Sequence, residues 1–136
     1  MKDYEHKAEY YETDQMGIIH HSNYIRWYES ARIYFMDELG ISYKKMEEKG
    51  IISPVLSVSS EYKNMVYFDD VVLVNVKIKK YNGIRLELEY TVKNKETEEI
   101  VNTGSSKHCF LHNNKIINLK KTAPEFHEMF LNAVEE

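Results

Sequence analysis

The sequence holds one cysteine, two prolines and five glycines in 136 residues. A lone cysteine, Cys109, excludes an internal disulfide framework and points to a reducing compartment. So few prolines and glycines exclude a collagen-like or low-complexity chain. No internal repeat or linker breaks the pattern, so a single domain over residues 1–136 is expected, of a size that buries about two-thirds of its unfolded surface. Long apolar runs are missing too: the longest aliphatic stretch, Val71 to Val74, falls far short of the ~20 residues of a membrane-spanning helix. Met1-Lys2-Asp3-Tyr4-Glu5 leads into polar alternation, which predicts no signal peptide and a soluble, cytoplasmic protein. Positive charge is in deficit, with 18 Lys and Arg against 22 Asp and Glu for a net charge of -4, and this argues against a nucleic-acid partner.

What is present is ordinary globular usage, 43% hydrophobic and 29% charged. Eleven tyrosines is a high count, and core or interface packing is the default reading for most of them. His6 to Tyr11 reads as a short strand, followed by a loop from Glu12 to Ser22. From Asn23 the period turns helical: Tyr24, Trp27, Tyr28, Ala31, Tyr34, Phe35 and Leu39 recur at three- and four-residue steps. Ser22 or Asn23 can cap this helix and Gly40 can close it. A shorter helix, about Tyr43 to Lys49, precedes four strand-like runs: Val55–Lys63, Val71–Lys80, Ile84–Val92 and Glu99–Leu111. Asn82-Gly83 between the second and third predicts a type I′ hairpin. Ile84, Leu86, Leu88, Tyr90 and Val92 alternate with polar residues, as in a strand with one dry face. Asn113-Asn114 predicts another turn before a short strand, Ile116–Leu119. Thr122-Ala123-Pro124-Glu125 reads as a capping box opening a last helix with Phe126, Met129, Phe130 and Ala133 on one side.

A meander with one dry face must bury it, and the Tyr24–Leu39 helix is long and apolar enough to do so. The fold class expected on these grounds is α+β, a curved antiparallel sheet wrapped on one long helix. One helix leaves the sheet edges open to pairing with a second copy, so a homo-oligomer is expected.

The stretch Tyr10-Tyr11-Glu12-Thr13-Asp14-Gln15-Met16-Gly17-Ile18-Ile19-His20-His21-Ser22-Asn23-Tyr24 places carboxylates, a glycine and two histidines just before that helix. The first helical turn offers unsatisfied backbone N–H groups and a partial positive charge, which can stabilise an oxyanion developing on a thioester carbonyl. Asp14 can attack such a carbonyl or activate water against it. Because a thiolate leaves readily, no strong general acid is needed. By residue type and spacing alone, Asp14 reads first as a turn or capping residue. Glu12 reads as solvated, His20 and His21 as adjacent rings that diverge, and Cys109 as a buried small hydrophobe. The histidines show no paired zinc spacing, so no metal is expected.

The run Asp14 to Tyr24, continuing through Arg26-Trp27-Tyr28-Glu29-Ser30-Ala31-Arg32, resembles the signature of the 4-hydroxybenzoyl-CoA thioesterase branch of the hotdog superfamily. It is similar especially to the short bacterial acyl-CoA thioesterases of the Tol-Pal-associated type. The resemblance is strong over the first third of the chain and looser beyond it. It implies a hotdog fold and hydrolysis of an acyl-CoA, or of an acyl-carrier-protein thioester, to a free acid. Coenzyme A then enters as part of the substrate, and no other cofactor is implied. Carried over by position, Asp14 is the nucleophile or general base, and the backbone N–H of His21 grips the thioester oxygen. Gly17 lets the loop pass close to the substrate, His20 belongs to the same substrate-binding segment, and Asn23 and Tyr24 shape the helix entry. A dimer or a homotetramer built as a dimer of dimers is expected. Two rival functions stand beside it: a hotdog acyl-CoA hydratase or dehydratase pairing Asp14 with His20, and a non-catalytic acyl-CoA-binding domain. Lys63, Lys77, Lys79, Lys80 and Lys107 lie where coenzyme A phosphates could be met, with none singled out.

Overall fold

The computed structural model describes residues 2–134. Among them the chain runs through β1 (Tyr4–Lys7), a 3-10 turn (Tyr10–Glu12), α1 (Ser22–Leu39), α2 (Tyr43–Glu48), β2 (Ile51–Ile52) and β3 (Val55–Tyr62). It continues through β4 (Val71–Tyr81), β5 (Arg85–Asn94), β6 (Ile100–Cys109), β7 (Leu111–His112), β8 (Lys115–Ile116), α3 (Leu119–Thr122) and α4 (Pro124–Val134). Five strands form one sheet in the order β1-β4-β5-β6-β3, while β2, β7 and β8 form a small separate one. Every pairing in the large sheet is antiparallel. β1 and β3 are therefore its two edges.

The period-2 pattern in β5 does what alternation requires. Leu86, Leu88, Tyr90 and Val92 are buried, and the alternate residues Arg85, Glu89 and Lys93 are exposed while Glu87 and Thr91 are half-buried. Val72 and Val74 of β4 face the same interior. The helical stripe of α1 closes over this face with Tyr24, Trp27, Tyr28, Ala31, Phe35 and Met36 buried. Burial of each large side chain in that stripe contributes about 2 kcal/mol. The helix meets its neighbours ring to ring: Trp27 lies 4.9 Å from His6 of β1, and Tyr28 stacks on Tyr90 of β5 at 4.3 Å and 6°. The Tyr28 hydroxyl finds polar partners below, donating to Asn102 Oδ1 and bonding Ser60 Oγ at 2.9 Å. α4 extends the cover through Phe126 and Phe130, and Cys109 is buried as a small hydrophobe.

Several local expectations change. The first strand ends at Lys7 rather than Tyr11, because Glu12 turns its carboxylate back onto the Glu9 amide at 2.8 Å and winds the 3-10 turn. His21, not Ser22 or Asn23, holds the N-cap position of α1, and its side chain makes no capping bond. Gly40 closes α1 as expected, with φ +91. Asn82-Gly83 is not a type I′ turn, since only Gly83 has positive φ; Asn82 Oδ1 instead accepts from the amides of Ile84 and Arg85 at 2.9 and 2.8 Å. The paired positive φ occurs at Asn113 and Asn114, 52° and 62°. Leu119 opens α3 rather than ending a strand. Thr122 lies within α3, so the cap position of α4 falls on Ala123, whose carbonyl accepts from Phe126 and His127.

Candidate active site

Between the 3-10 turn and α1 the chain folds into a tight loop held mainly by its own backbone. The Asp14 amide donates to the Ile18 carbonyl at 2.9 Å, and the Gly17 amide donates to the Asp14 carbonyl at 3.0 Å. Gly17 takes φ +78, where a Cβ is costly, and a Cβ added there would meet nothing within 4 Å. The glycine is thus required by the backbone turn. Asp14 Oδ1 accepts from the Met16 amide at 2.8 Å. The returning segment is pinned to the region after β3, with Ile19 donating to the Val66 carbonyl at 2.8 Å.

Glu12 anchors this loop, contrary to the expectation that it is solvated. It is only 5% exposed. Its carboxylate accepts from Trp27 Nε1 at 2.8 Å and from the Glu9 amide at 2.8 Å, and bonds His6 Nε2 at 2.9 Å. Burial by itself raises the Glu12 carboxyl, but the bonds from His6, Glu9 and Trp27 outweigh it and hold the group below its ordinary value. The Glu12 carbonyl accepts from Asn23 Nδ2 at 2.9 Å and from the His20 amide at 2.8 Å. Asp14 stands two residues further on. The useful signal in the sequence was the helical stripe itself: an indole N–H at Trp27, facing the core, needs a buried acceptor.

Asp14, His21 and Tyr24 line one cleft of about 320 Å³ at the start of α1. Its other wall comes from Tyr62 at the end of β3 and from Lys63 to Val66. Tyr62 reaches across, donating its hydroxyl to the His21 carbonyl at 3.2 Å and packing edge-on to Tyr24 at 5.2 Å. Burial, with smaller contributions from Tyr62 and Tyr28, pushes the Tyr24 phenol up to about 12, so it stays a neutral wall.

The remaining expected residues fall beside the cleft. The His20 ring binds Ser22 instead, through its Oγ at 2.9 Å and its amide at 3.2 Å, and so caps the helix from one residue before the N-cap. No hydrogen bond joins Asp14 to His20 among the described residues, and His20 is not part of the cleft lining that includes Asp14. The His20 and His21 rings do not diverge; they stack at 4.2 Å. Asn23 is buried, its amide spent on the Glu12 and His20 carbonyls. Among the described residues no group of three His, Cys, Asp or Glu side chains is placed to hold a metal ion. The sequence offered Lys63 as one of several possible phosphate contacts but did not place it, Tyr62 or the residues that follow at this cleft, because that wall belongs to a strand end forty residues away.

A family profile described as the thioesterase-like superfamily matches residues 9–134. A protein of Bacillus subtilis (strain 168), provisionally named an acyl-CoA thioesterase, is 34% identical over 125 residues, covering 91% of this chain and 91% of its own. The crystal structure of a DHNA-CoA thioesterase from Staphylococcus aureus is 36% identical and matches with a TM-score of 0.92, over 96% of this chain and 89% of that one. A 1,4-dihydroxy-2-naphthoyl-CoA thioesterase from Synechocystis shares the fold alone, at 15% identity and a TM-score of 0.86, over 99% of this chain and 98% of that one. The α+β architecture, one long helix on an antiparallel sheet, is the hotdog fold of these structures.

Proposed function

This chain belongs to the thioesterase-like superfamily and is a thioester hydrolase, and we propose that it cleaves acyl-CoA with Asp14 as nucleophile or general base. The observation that carries this reading is the meeting of Asp14 and His21 in one cleft at the N-terminus of α1. The His21 amide has no acceptor among the described residues, and it stands where the helix dipole favours negative charge. A thioester carbonyl seated in the cleft places its oxygen against that amide. Asp14 then either takes a proton from water as the water oxygen bonds the carbonyl carbon, or bonds that carbon itself and is released by water afterwards. In both routes the C–S bond breaks, the electrons leave with sulfur, and one water is consumed to give a carboxylic acid and coenzyme A thiol. A preorganised backbone donor of this kind is worth about 10²–10³-fold in rate.

Lys63 lines the cleft as an exposed cation, paired across 3.7 Å with exposed Glu61, and exchanging that partner lets it meet a phosphate of coenzyme A or of the phosphopantetheine arm of an acyl-carrier protein. Assembly of two or four copies is part of the proposal, supported by edge strand β3, where Val55, Leu56 and Val58 are 52%, 50% and 38% exposed. No helix among the described residues is long and apolar enough to cross a membrane, and a cytoplasmic location belongs to the same reading.

The test is Asp14→Asn assayed by thiol release over a panel from acetyl- to palmitoyl- and aromatic acyl-CoA, with light scattering for assembly. The expected result is a folded protein of unchanged assembly with turnover lowered by about 10²–10⁴-fold. Wild-type rates in the variant, or hydration of crotonyl-CoA without thiol release, would overturn the assignment.

A further inference from the structure

A second, smaller cavity of about 80 Å³ opens along the same seam between α1 and β3. Moving along α1 from His21 to Arg32 is moving backwards along β3 from Tyr62 to Val55. The first cleft takes His21, Tyr24 and Tyr62; the second takes Ile25, Glu29 and Arg32 from the helix and Val55 and Val58 from the strand. Eight residues separate Tyr24 from Arg32, about 12 Å of helix at a rise of roughly 1.5 Å each. Exposed Ile25, Val55 and Val58 make the mouth of the second cavity largely apolar, with exposed Glu29 at its edge, and buried Arg32, Ser106 and His108 make its inner end polar.

That inner end is unsatisfied. Arg32 is 3% exposed and His108 1% exposed, yet Arg32 Nη1 and His108 Nδ1 are buried without a hydrogen-bond partner. Arg32 has no ion-pair partner among the described residues, and its guanidinium only overlies the Tyr43 ring at 5.5 Å. A buried cation without a counter-ion is costly unless something else supplies the anion. Tyr90 Oη lies 2.7 Å from Ser106 Oγ, and Ser106 Oγ lies 2.7 Å from His108 Nε2. The Ser106 hydroxyl can run this chain in either direction, so Nδ1 is fixed as neither donor nor acceptor by its neighbours. The Pro54 carbonyl is the backbone acceptor that faces this ring. Arg32 Nη1 can only donate, so the group it lacks is an acceptor.

We propose that this cavity receives the far end of the acyl group and that a carboxylate seated there pairs with Arg32, so that the preferred substrates are acyl thioesters bearing a remote carboxyl group. The inference rests on the thioesterase reading. A neutral hydroxyl would leave the guanidinium charge uncompensated, whereas a carboxylate neutralises it and offers an acceptor oxygen to Arg32 Nη1. Size agrees: a cavity of ~150 Å³ accommodates a benzene ring, and this one, at about 80 Å³, suits a few atoms at a chain end.

The experiment compares kcat/KM for ω-carboxyacyl-CoA esters of six to ten carbons with unsubstituted acyl-CoA esters of equal length, and with a hydroxyaroyl-CoA. Wild type is expected to favour the carboxylated member of a pair at least tenfold. Arg32→Met is expected to bring that ratio near one whatever its absolute rates. Glu29→Gln, at the exposed edge of the cavity, is expected to raise the ratio several-fold by removing a repelling charge, and it tests the idea even if Arg32→Met does not fold. A wild-type ratio of one or less, preference for the hydroxyaroyl ester, or an Arg32 variant that alters assembly while the ratio stands, each overturns the inference and leaves the thioesterase reading intact. If no ester is cleaved at all, that reading falls and this inference with it.

Discussion

Trp27 Nε1 donates to Glu12 Oε2 at 2.8 Å, joining the middle of α1 to the segment that carries Asp14. The bond spans fifteen positions in sequence and lies in the buried interior, where an acceptor of full charge makes a stronger partner than a neutral one. Because Glu12 is two residues from Asp14 and its carbonyl also binds Asn23 and His20, one anchored residue sets the spacing between the cleft's carboxylate and the helix start.

Replacing Glu12 with Gln keeps the shape but turns one acceptor oxygen into a donor, so one of its three hydrogen-bond partners loses its place. An unsatisfied buried partner costs about 1–3 kcal/mol. We expect a lower urea midpoint together with a fall in kcat that exceeds any change in KM, since the loop holding Asp14 loosens. Urea unfolding and steady-state kinetics on the same preparation check it; unchanged kcat would show that the anchor serves stability alone.

Tyr62 bridges the cleft from β3 to the His21 carbonyl. Tyr62→Phe removes one exposed hydrogen bond, for which about 0.5–1 kcal/mol is expected, and leaves the aromatic wall in place. Tyr62→Ala removes the wall. The expected outcome is a change of a few-fold for Phe and a clear rise in KM for Ala, measured with a single acyl-CoA ester.

Burial, with a smaller push from Arg32, drives the His108 imidazole down from 6.5 to about 4. The unfolded chain therefore binds a proton in the window between those values while the folded one does not, so stability rises with pH across it and is lost as pH falls. At about 1.4 kcal/mol per unit the effect is on the order of 3 kcal/mol. The lowered Glu12 carboxyl acts in the same sense, its contribution disappearing as acid protonates it. Thermal unfolding from pH 4 to 7 is expected to show a rising Tm in wild type and a flatter profile in His108→Gln.

Gly104 sits under the Tyr28 hydroxyl, and a Cβ built there would also lie 2.6 Å from the Ser59 carbonyl oxygen of the neighbouring strand. Neither the backbone oxygen nor the stacked ring can withdraw without disturbing the pairing of β3 with β6. Gly104→Ala is expected to destabilise by about 1–3 kcal/mol through overpacking, read as a lower denaturant midpoint; a neutral result would mean that the strand pair yields more easily than its register suggests.

Chain patterning alone determined the α+β class, the span of α1 with its Gly40 stop, and the burial of one face of β5. These depend on periodicity and on turn chemistry, which act between near neighbours. Asp14 and His21 came from the family resemblance instead, since spacing alone reads Asp14 as a turn or capping residue, and both line the cleft because they lie within one short segment before the helix. Where local rules failed, a side chain had found a partner that spacing does not reveal: Glu12 bent the first strand into a 3-10 turn, Asn82 bonded its own hairpin, and His20 took over part of the capping.

Only the tertiary structure decided the opposite wall of the cleft, the burial of Glu12 against Trp27, and the convergence of Arg32 with His108. Each brings together residues from elements far apart in the chain, and each turns on desolvation, which depends on what the whole fold excludes from water. Composition can say that a carboxylate or a guanidinium exists; whether it is bathed or buried is settled when the helix closes onto the sheet.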